Sequence, residues 1–251
     1  MAARMTRITV AWMLIVMDLA LLGCAAPRHR MHQETAGRAQ GIKTVALMLP
    51  PLDYAEVSAG GVAEPRPDWA EEGRVNVLKA IEKRFGTGGI QLRPLQADPD
   101  ETSEAAEVFA LYQAVVASYF MHATGEGNNP NVFPEKLSRF DYSVGSLEGL
   151  LRDSGADALL MVKGVNRVAT GGRTAVTALG TIAGIAVGVL TGVVLLPSGW
   201  EGASLNMGLA DRSGTILWFN VEGSTGGDLR NPETADSMIN SILSSCPVAK
   251  Q

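Results

Sequence analysis

Few residues of this chain have the types and spacing that chemistry on a substrate requires. A serine hydrolase needs a G-x-S-x-G elbow, and the sequence contains neither this motif nor a Walker loop or metal-ligand cluster. His122 follows an apolar stretch that predicts a helix, so it is expected to be a surface or capping residue. The acidic pairs Glu71-Glu72 and Asp98/Asp100 stand at predicted helix starts, where the helix dipole accounts for them. We therefore expect a protein that is not an enzyme and binds no cofactor or metal.

Cys24 carries the clearest chemical signal. Arg4 and Arg7 precede an apolar run over residues 8–22, which is the layout of a secretory signal. Residues 21–26, which read LLGCAA, resemble a bacterial lipobox, and this resemblance implies cleavage before Cys24 and attachment of diacylglycerol to its thiol. Acyl chains contribute about 0.8 kcal/mol per buried CH₂, so several chains on one cysteine would hold the protein on a membrane. An uncleaved anchor and cleavage after Ala26 are the alternatives.

The charge composition indicates which partners to expect, and the residue after Cys24 indicates the location of the protein. The chain has 21 Lys and Arg against 26 Asp and Glu, a net charge of −5, with no basic run to neutralise phosphates. Nucleic acid is therefore not expected as a partner. Ala25 after the modified cysteine favours, by analogy with lipoprotein sorting in enteric bacteria, the periplasmic face of the cell outer membrane. With Cys24 acylated, Cys246 would be the remaining thiol, and we expect it to be a packed residue rather than a nucleophile.

The chain divides into a signal peptide over residues 1–23, a tether over 24–41 and a periplasmic α/β domain over 42–251. Apolar runs predict strands over residues 42–49, 90–92 and 156–165, and a hairpin over 203–210 and 215–222. Helical spacing predicts helices that begin near Asp68, Asp98, Ser146 and Asn231. Because strands and helices alternate early and strands pair late, the fold class is a mixed sheet with flanking helices.

Three segments resemble a group of small bacterial lipoproteins. They are residues 47–52 (LMLPPL), 155–163 (GADALLMVK) and 209–218 (LADRSGTILW). The group includes a family of neisserial surface lipoproteins and, more distantly, the curli secretion-channel lipoprotein and lipoprotein activators of penicillin-binding proteins. The resemblance implies a periplasmic α/β domain similar to the N-terminal domain of TolB, which assembles with itself or with another envelope protein. It implies no catalytic residue.

An apolar insert over residues 174–197 contains 22 consecutive uncharged residues, 175–196. A helix of that length would reach about 33 Å, comparable with a bilayer core of roughly 30 Å. Gly180, Gly184, Gly188 and Gly192 stand four apart. On a helix this spacing lines one face with a groove free of side chains, where another helix backbone can approach closely. We expect this glycine-zipper segment to contact the membrane or further copies of itself.

Two other structures for the insert stay open. A β-hairpin fits its Val, Ile and Thr content, although the alternation of a membrane strand is absent. A buried core helix fits its apolar content, although 22 residues is long for a domain of this size. The function that follows is a lipid-anchored envelope assembly or scaffold protein, acting as a homo-oligomer or with another envelope protein. The alternative is a periplasmic binding module that regulates a cell-wall synthase or transporter, with the insert folded into its core.

Overall fold

A computed structural model describes residues 29–49, 52–95, 103–122, 132–171 and 201–249. Within these ranges the strands are β1 (Arg30–Met31), β2 (Thr44–Met48), β3 (Asp53–Val57), β4 (Ala63–Pro65), β5 (Gln91–Pro94), β6 (Ala158–Ala169), β7 (Gly202–Asp211) and β8 (Ile216–Thr225). The helices are α1 (Thr35–Arg38), α2 (Pro67–Thr87), α3 (Glu104–His122), α4 (Pro134–Ser138), α5 (Glu148–Arg152) and α6 (Pro232–Leu243), with a 3₁₀ turn at Ala39–Gly41 after α1.

The described strands form one mixed sheet around β6. Its main order is β1-β8-β7-β6-β2-β5, in which β6, β7 and β8 are antiparallel and β2 is parallel to both β6 and β5. β3 also pairs with β6 in parallel, further along the same edge, and β4 pairs with β3. The predicted α/β class with a mixed sheet and flanking helices is confirmed.

Both faces of β6 are buried, which explains its nearly continuous apolar sequence. Leu160 and Val162 point toward a core formed with α2 and α6. Leu159 and Met161 point to the opposite side, into a core formed with α3 and the residues around α5. We refer to these two sides of the sheet as the α2/α6 face and the α3 face.

Local signals fix the last hairpin and the last helix. The turn between β7 and β8 closes through Gly214, whose N–H donates to the Asp211 carbonyl at 2.8 Å. Gly214 has φ of 82°, and a Cβ there would lie 1.5 Å from the Gly145 carbonyl oxygen, so only glycine fits. Asn231 caps α6, because its side-chain oxygen accepts from the backbone N–H of Glu233 at 2.8 Å and of Thr234 at 3.3 Å. Both elements confirm the sequence prediction.

The folded domain begins earlier than the sequence predicts. Residues 30–41 fall in the expected tether, yet β1 pairs antiparallel with β8. The buried Thr35 hydroxyl donates to the Leu217 carbonyl at 2.6 Å, and Arg38 forms an ion pair with Asp211 at 2.7 Å. Edge strand β8 offers unpaired backbone groups that a two-residue strand can join, and hydrophobic periodicity gives no sign of such pairing.

The start of α2 also differs from the sequence prediction. The helix begins at Pro67 after Arg66, and no side chain caps it. Asp68, expected as the cap, instead forms an ion pair with Arg66 at 2.8 Å. A nearby guanidinium has therefore taken the carboxylate that the sequence pattern assigns to the helix N-terminus. Asp98, the expected cap of α3, lies outside the described residues.

Candidate functional site

The site residues predicted from the sequence lie outside the described ranges. These are Cys24 and the glycines of the insert, Gly180, Gly184, Gly188 and Gly192. The roles assigned to them stay predictions. Among the residues that the structure describes, no helix combines the length and apolar character needed to cross a membrane. The same residues contain no cluster of three or more His, Cys, Asp or Glu side chains that could hold a metal ion.

The structure describes the two strands that flank the insert. β6 enters it and β7 leaves it, and these strands are antiparallel neighbours in which Arg167 pairs with Gly202. The end of β6 and the start of β7 therefore lie at the same end of the sheet.

Two buried polar side chains lie on the α3 face of β7. Ser204 and Asn206 are 5% and 1% exposed. Asn206 stands directly opposite Lys163 of β6, and Ser204 stands opposite Val165. Side chains alternate along each strand, so Lys163, Ser204 and Asn206 share this face. We call these three residues the donor patch.

Tyr112 of α3 orients one member of the donor patch. Its hydroxyl donates to the Asn206 side-chain oxygen at 3.0 Å. The ring reaches this position because residue 208 is glycine, where a Cβ would lie 2.6 Å from Tyr112 Cε2. Burial raises the pKa of the Tyr112 phenol, so the group stays protonated and acts as a donor. With its oxygen held in this way, Asn206 directs its side-chain NH₂ away from the tyrosine.

The remaining polar groups of the donor patch are unpaired within the described part of the chain. Lys163 Nζ, Asn206 Nδ2 and Ser204 Oγ form no hydrogen bond or ion pair there. The Asn206 and Ser204 atoms are not completely enclosed by the protein, so water can satisfy them when no ligand is bound. Burial lowers the pKa of the half-buried Lys163 ammonium, while the Asp53 carboxylate opposes that shift.

Asp53 is itself occupied by another cation. Arg167 binds it with two parallel contacts, Nη1 to Oδ1 at 3.1 Å and Nη2 to Oδ2 at 2.9 Å. This bidentate geometry neutralises both groups. Lys163 therefore has no carboxylate partner for its positive charge among the described residues.

Sequence reasoning placed Lys163 in a strand and gave it no role. The available signal was a single lysine inside the apolar run over residues 158–165, because a charge is rarely buried without a partner. Nothing in the sequence showed that Asn206 and Ser204 would stand beside it, since they come about 40 residues later in the chain.

A second polar cluster surrounds Trp69 near the start of α2. The guanidinium carbons of Arg66 and Arg230 lie 3.7 and 3.8 Å from the centre of the indole ring. Tyr54 packs edge-on at 6.2 Å and donates its hydroxyl to Asp228. Both arginines also have carboxylate partners, with contacts of 2.6 to 2.8 Å. The cluster joins α2 to the loop before α6, and each of its arginines is paired with a carboxylate within the cluster.

The other titratable residues singled out in the sequence have structural surroundings. Cys246 is fully buried, and burial raises the pKa of its thiol to about 11. This confirms the expectation of a packed residue. His122 lies at the end of α3, with its ring 4.7 Å from the ring of Phe133.

No family model and no curated protein matches this chain. Among solved structures, it is similar to the PelC dodecamer from Paraburkholderia phytofirmans at 13% identity and a TM-score of 0.30, over 80% of this chain and 85% of that chain. It is also similar to the LpoB C-terminal domain from Salmonella enterica at 14% identity and a TM-score of 0.25, over 78% of this chain and 95% of that chain. At these TM-scores the two likenesses carry no inference about function.

Proposed function

We propose that this protein is a lipid-anchored assembly or scaffold protein of the cell envelope, without enzymatic activity. Its lipid anchor is Cys24, and its location is the periplasmic face of the outer membrane. The lipobox-like sequence supports the anchor, and the uncharged, glycine-spaced insert supports assembly.

The position of β1 carries this proposal. Six residue steps separate Cys24 from Arg30, the first residue of β1. An extended chain spans at most about 3.6 Å per residue, so the first strand lies within about 22 Å of the lipidated residue. A tether that ran to residue 41 would reach about three times as far. The domain is thus held close to the membrane surface, where it can meet other membrane-bound proteins or further copies of itself.

The sheet topology supports the insert as the contact element. Because β6 and β7 are neighbours, the insert can be engaged elsewhere without separating the strands that flank it. The small residues at positions 180, 184, 188 and 192 would let helices from neighbouring copies approach closely.

A binding module is the second candidate function. The unpaired groups of the donor patch favour it, because groups of this kind can recognise a ligand or a side chain of another protein. In this case the periplasmic domain would regulate a cell-wall synthase or transporter, which is the alternative function inferred from the sequence.

Membrane fractionation and palmitate labelling of a Cys24→Ser variant test the anchor. The variant should lose the label and either leave the membrane fraction or accumulate as an uncleaved precursor. Unchanged labelling would remove the lipoprotein assignment.

Crosslinking in detergent tests the assembly role separately. Gly184→Leu and Gly188→Leu fill the proposed groove and should abolish the higher-order species. Gly86→Leu is the matched control, because a Cβ at this position in α2 would meet open space. The same oligomer distribution in all three variants and the wild type would contradict assembly through the insert.

A further inference from the structure

The donor patch has more hydrogen-bond donors than the described residues use. Lys163 Nζ offers three N–H groups, the Asn206 amide offers two and the Ser204 hydroxyl offers one. The Tyr112 hydroxyl fixes the Asn206 amide by occupying its oxygen, so the NH₂ group is preoriented. Together these groups can donate hydrogen bonds to one acceptor group.

The strand register brings the donors together. Directly opposite residues on antiparallel strands have Cβ atoms about 4.5–5.5 Å apart, and Lys163 and Asn206 are such a pair. Ser204 is two residues from Asn206 on the same strand, about 7 Å along it. An acceptor group with two oxygens fits within this spacing.

The charge balance indicates the kind of acceptor. Asp53 and Arg167 neutralise each other, so one positive charge remains, on Lys163. A carboxylate supplies one negative charge and about four lone-pair sites. Phosphate carries more negative charge than the single charge of Lys163 balances, and the nearby guanidinium of Arg167 is already occupied.

We propose that Lys163, Asn206 and Ser204 form a binding site for a carboxylate group, carried by a small acid or by the end of a peptide chain. The ammonium supplies the charge, and the amide and hydroxyl orient the two oxygens. Tyr112 is a positioning residue, since it acts through Asn206. This site is independent of the lipid anchor and of assembly through the insert.

Thermal unfolding of the full mature protein in detergent tests the site, followed by intrinsic tryptophan fluorescence at constant ionic strength. The probes are sodium acetate and N-acetylglycine, which carries the carboxylate of a peptide terminus, with inorganic phosphate and chloride for comparison. We expect both carboxylates to raise the unfolding midpoint saturably above chloride, as ligands of the folded state do. A stronger effect of N-acetylglycine would identify a peptide terminus as the better ligand.

Three variants connect this response to the donor patch. Lys163→Met should weaken the apparent affinity for either carboxylate at least tenfold, and Ser204→Ala should weaken it severalfold. Lys79→Met removes an exposed lysine of α2 and should retain the wild-type affinity. Without probe, Lys163→Met should unfold at or above the wild-type midpoint, because it removes an unpaired half-buried charge.

Three results would overturn the proposal. One is the absence of a saturable carboxylate effect beyond that of chloride. Another is a response to phosphate alone, which would contradict the charge argument. The third is equal affinity in the Lys163→Met and Lys79→Met variants, which would identify a general salt effect. None of these results depends on the acylation of Cys24.

Discussion

The hydrogen bond between Tyr112 and Asn206 gives the sharpest test of how the α3 face is held together. Replacing Tyr112 by Phe removes one oxygen atom and keeps the ring, with its tilted contact to Phe109 and its edge contact to Phe219. The Tyr112 side chain is fully buried, and Asn206 is 1% exposed, so water has little access to the freed oxygen of the amide. The variant therefore isolates the loss of a single buried hydrogen bond.

The expected loss follows from this burial. A buried acceptor left without a donor costs about 1–3 kcal/mol, more than the net contribution of an average hydrogen bond. We expect Tyr112→Phe to lower the free energy of unfolding by an amount in this range, since packing is otherwise retained.

Tyr119→Phe is a matched control on the same helix. Its ring is also buried, and its hydroxyl forms no hydrogen bond to any residue that the structure describes. Its removal should change the free energy of unfolding by less than about 0.5 kcal/mol. Urea unfolding followed by far-ultraviolet circular dichroism measures both variants.

A double-mutant cycle completes the test. Combining Tyr112→Phe with Asn206→Leu removes both partners, and a coupling energy of about 0.5–3 kcal/mol is expected for groups in direct contact. The reasoning fails if Tyr112→Phe is as stable as Tyr119→Phe, or if the coupling energy is zero within error.

Three further predictions concern the C-terminal region. Asn231→Ala should lower the free energy of unfolding by about 0.5–2 kcal/mol in urea, since two N–H groups at the start of α6 lose their acceptor; an unchanged midpoint would contradict the cap. Burial raises the pKa of the Cys246 thiol to about 11, so Ellman's reagent at pH 8 should react slowly with the folded protein and rapidly in urea; equal rates would show an accessible thiol. Burial raises the pKa of the Asp228 carboxyl, but hydrogen bonds from Arg230 and Tyr54 outweigh burial and hold it below its usual value. A lowered folded-state pKa gives stability that is present above the unfolded value of about 3.9 and is lost as the pH falls through the folded value. Urea midpoints measured below pH 4 should therefore fall less steeply in Asp228→Asn than in the wild type, and parallel curves would contradict this account.

Much of the fold could be read from local patterns. The run that becomes β6 is apolar because both of its faces are covered, and the periodicity of α3 places Val108, Tyr112 and Tyr119 on its buried side. The hairpin turn and the Asn231 cap depend on residues close in sequence. In each case the interactions that determine the local structure involve residues close together in the chain, so their pattern is visible in the sequence.

Pairing between distant segments could not be read in this way. β1 joins β8 although nearly 190 residues separate them, and backbone hydrogen bonds leave little trace in side-chain pattern. This contact shortens the expected tether and so shortens the distance at which the proposed lipid anchor would hold the domain. Arg66 and Arg230, which both stack on Trp69, are likewise brought together only by folding.

The sequence by itself predicts a sorting signal at Cys24, contains the glycine spacing of the insert and determined the mixed α/β class, because each depends on residue types at short intervals. Only the tertiary structure decided that Lys163 faces Asn206 across two strands and that Arg167 already neutralises Asp53. The sequence does not show whether a lysine in a strand has a partner for its charge. The strand register shows that Asn206 and Ser204 lie beside Lys163 and that Asp53 is already paired, and this is what makes Lys163 part of a candidate site.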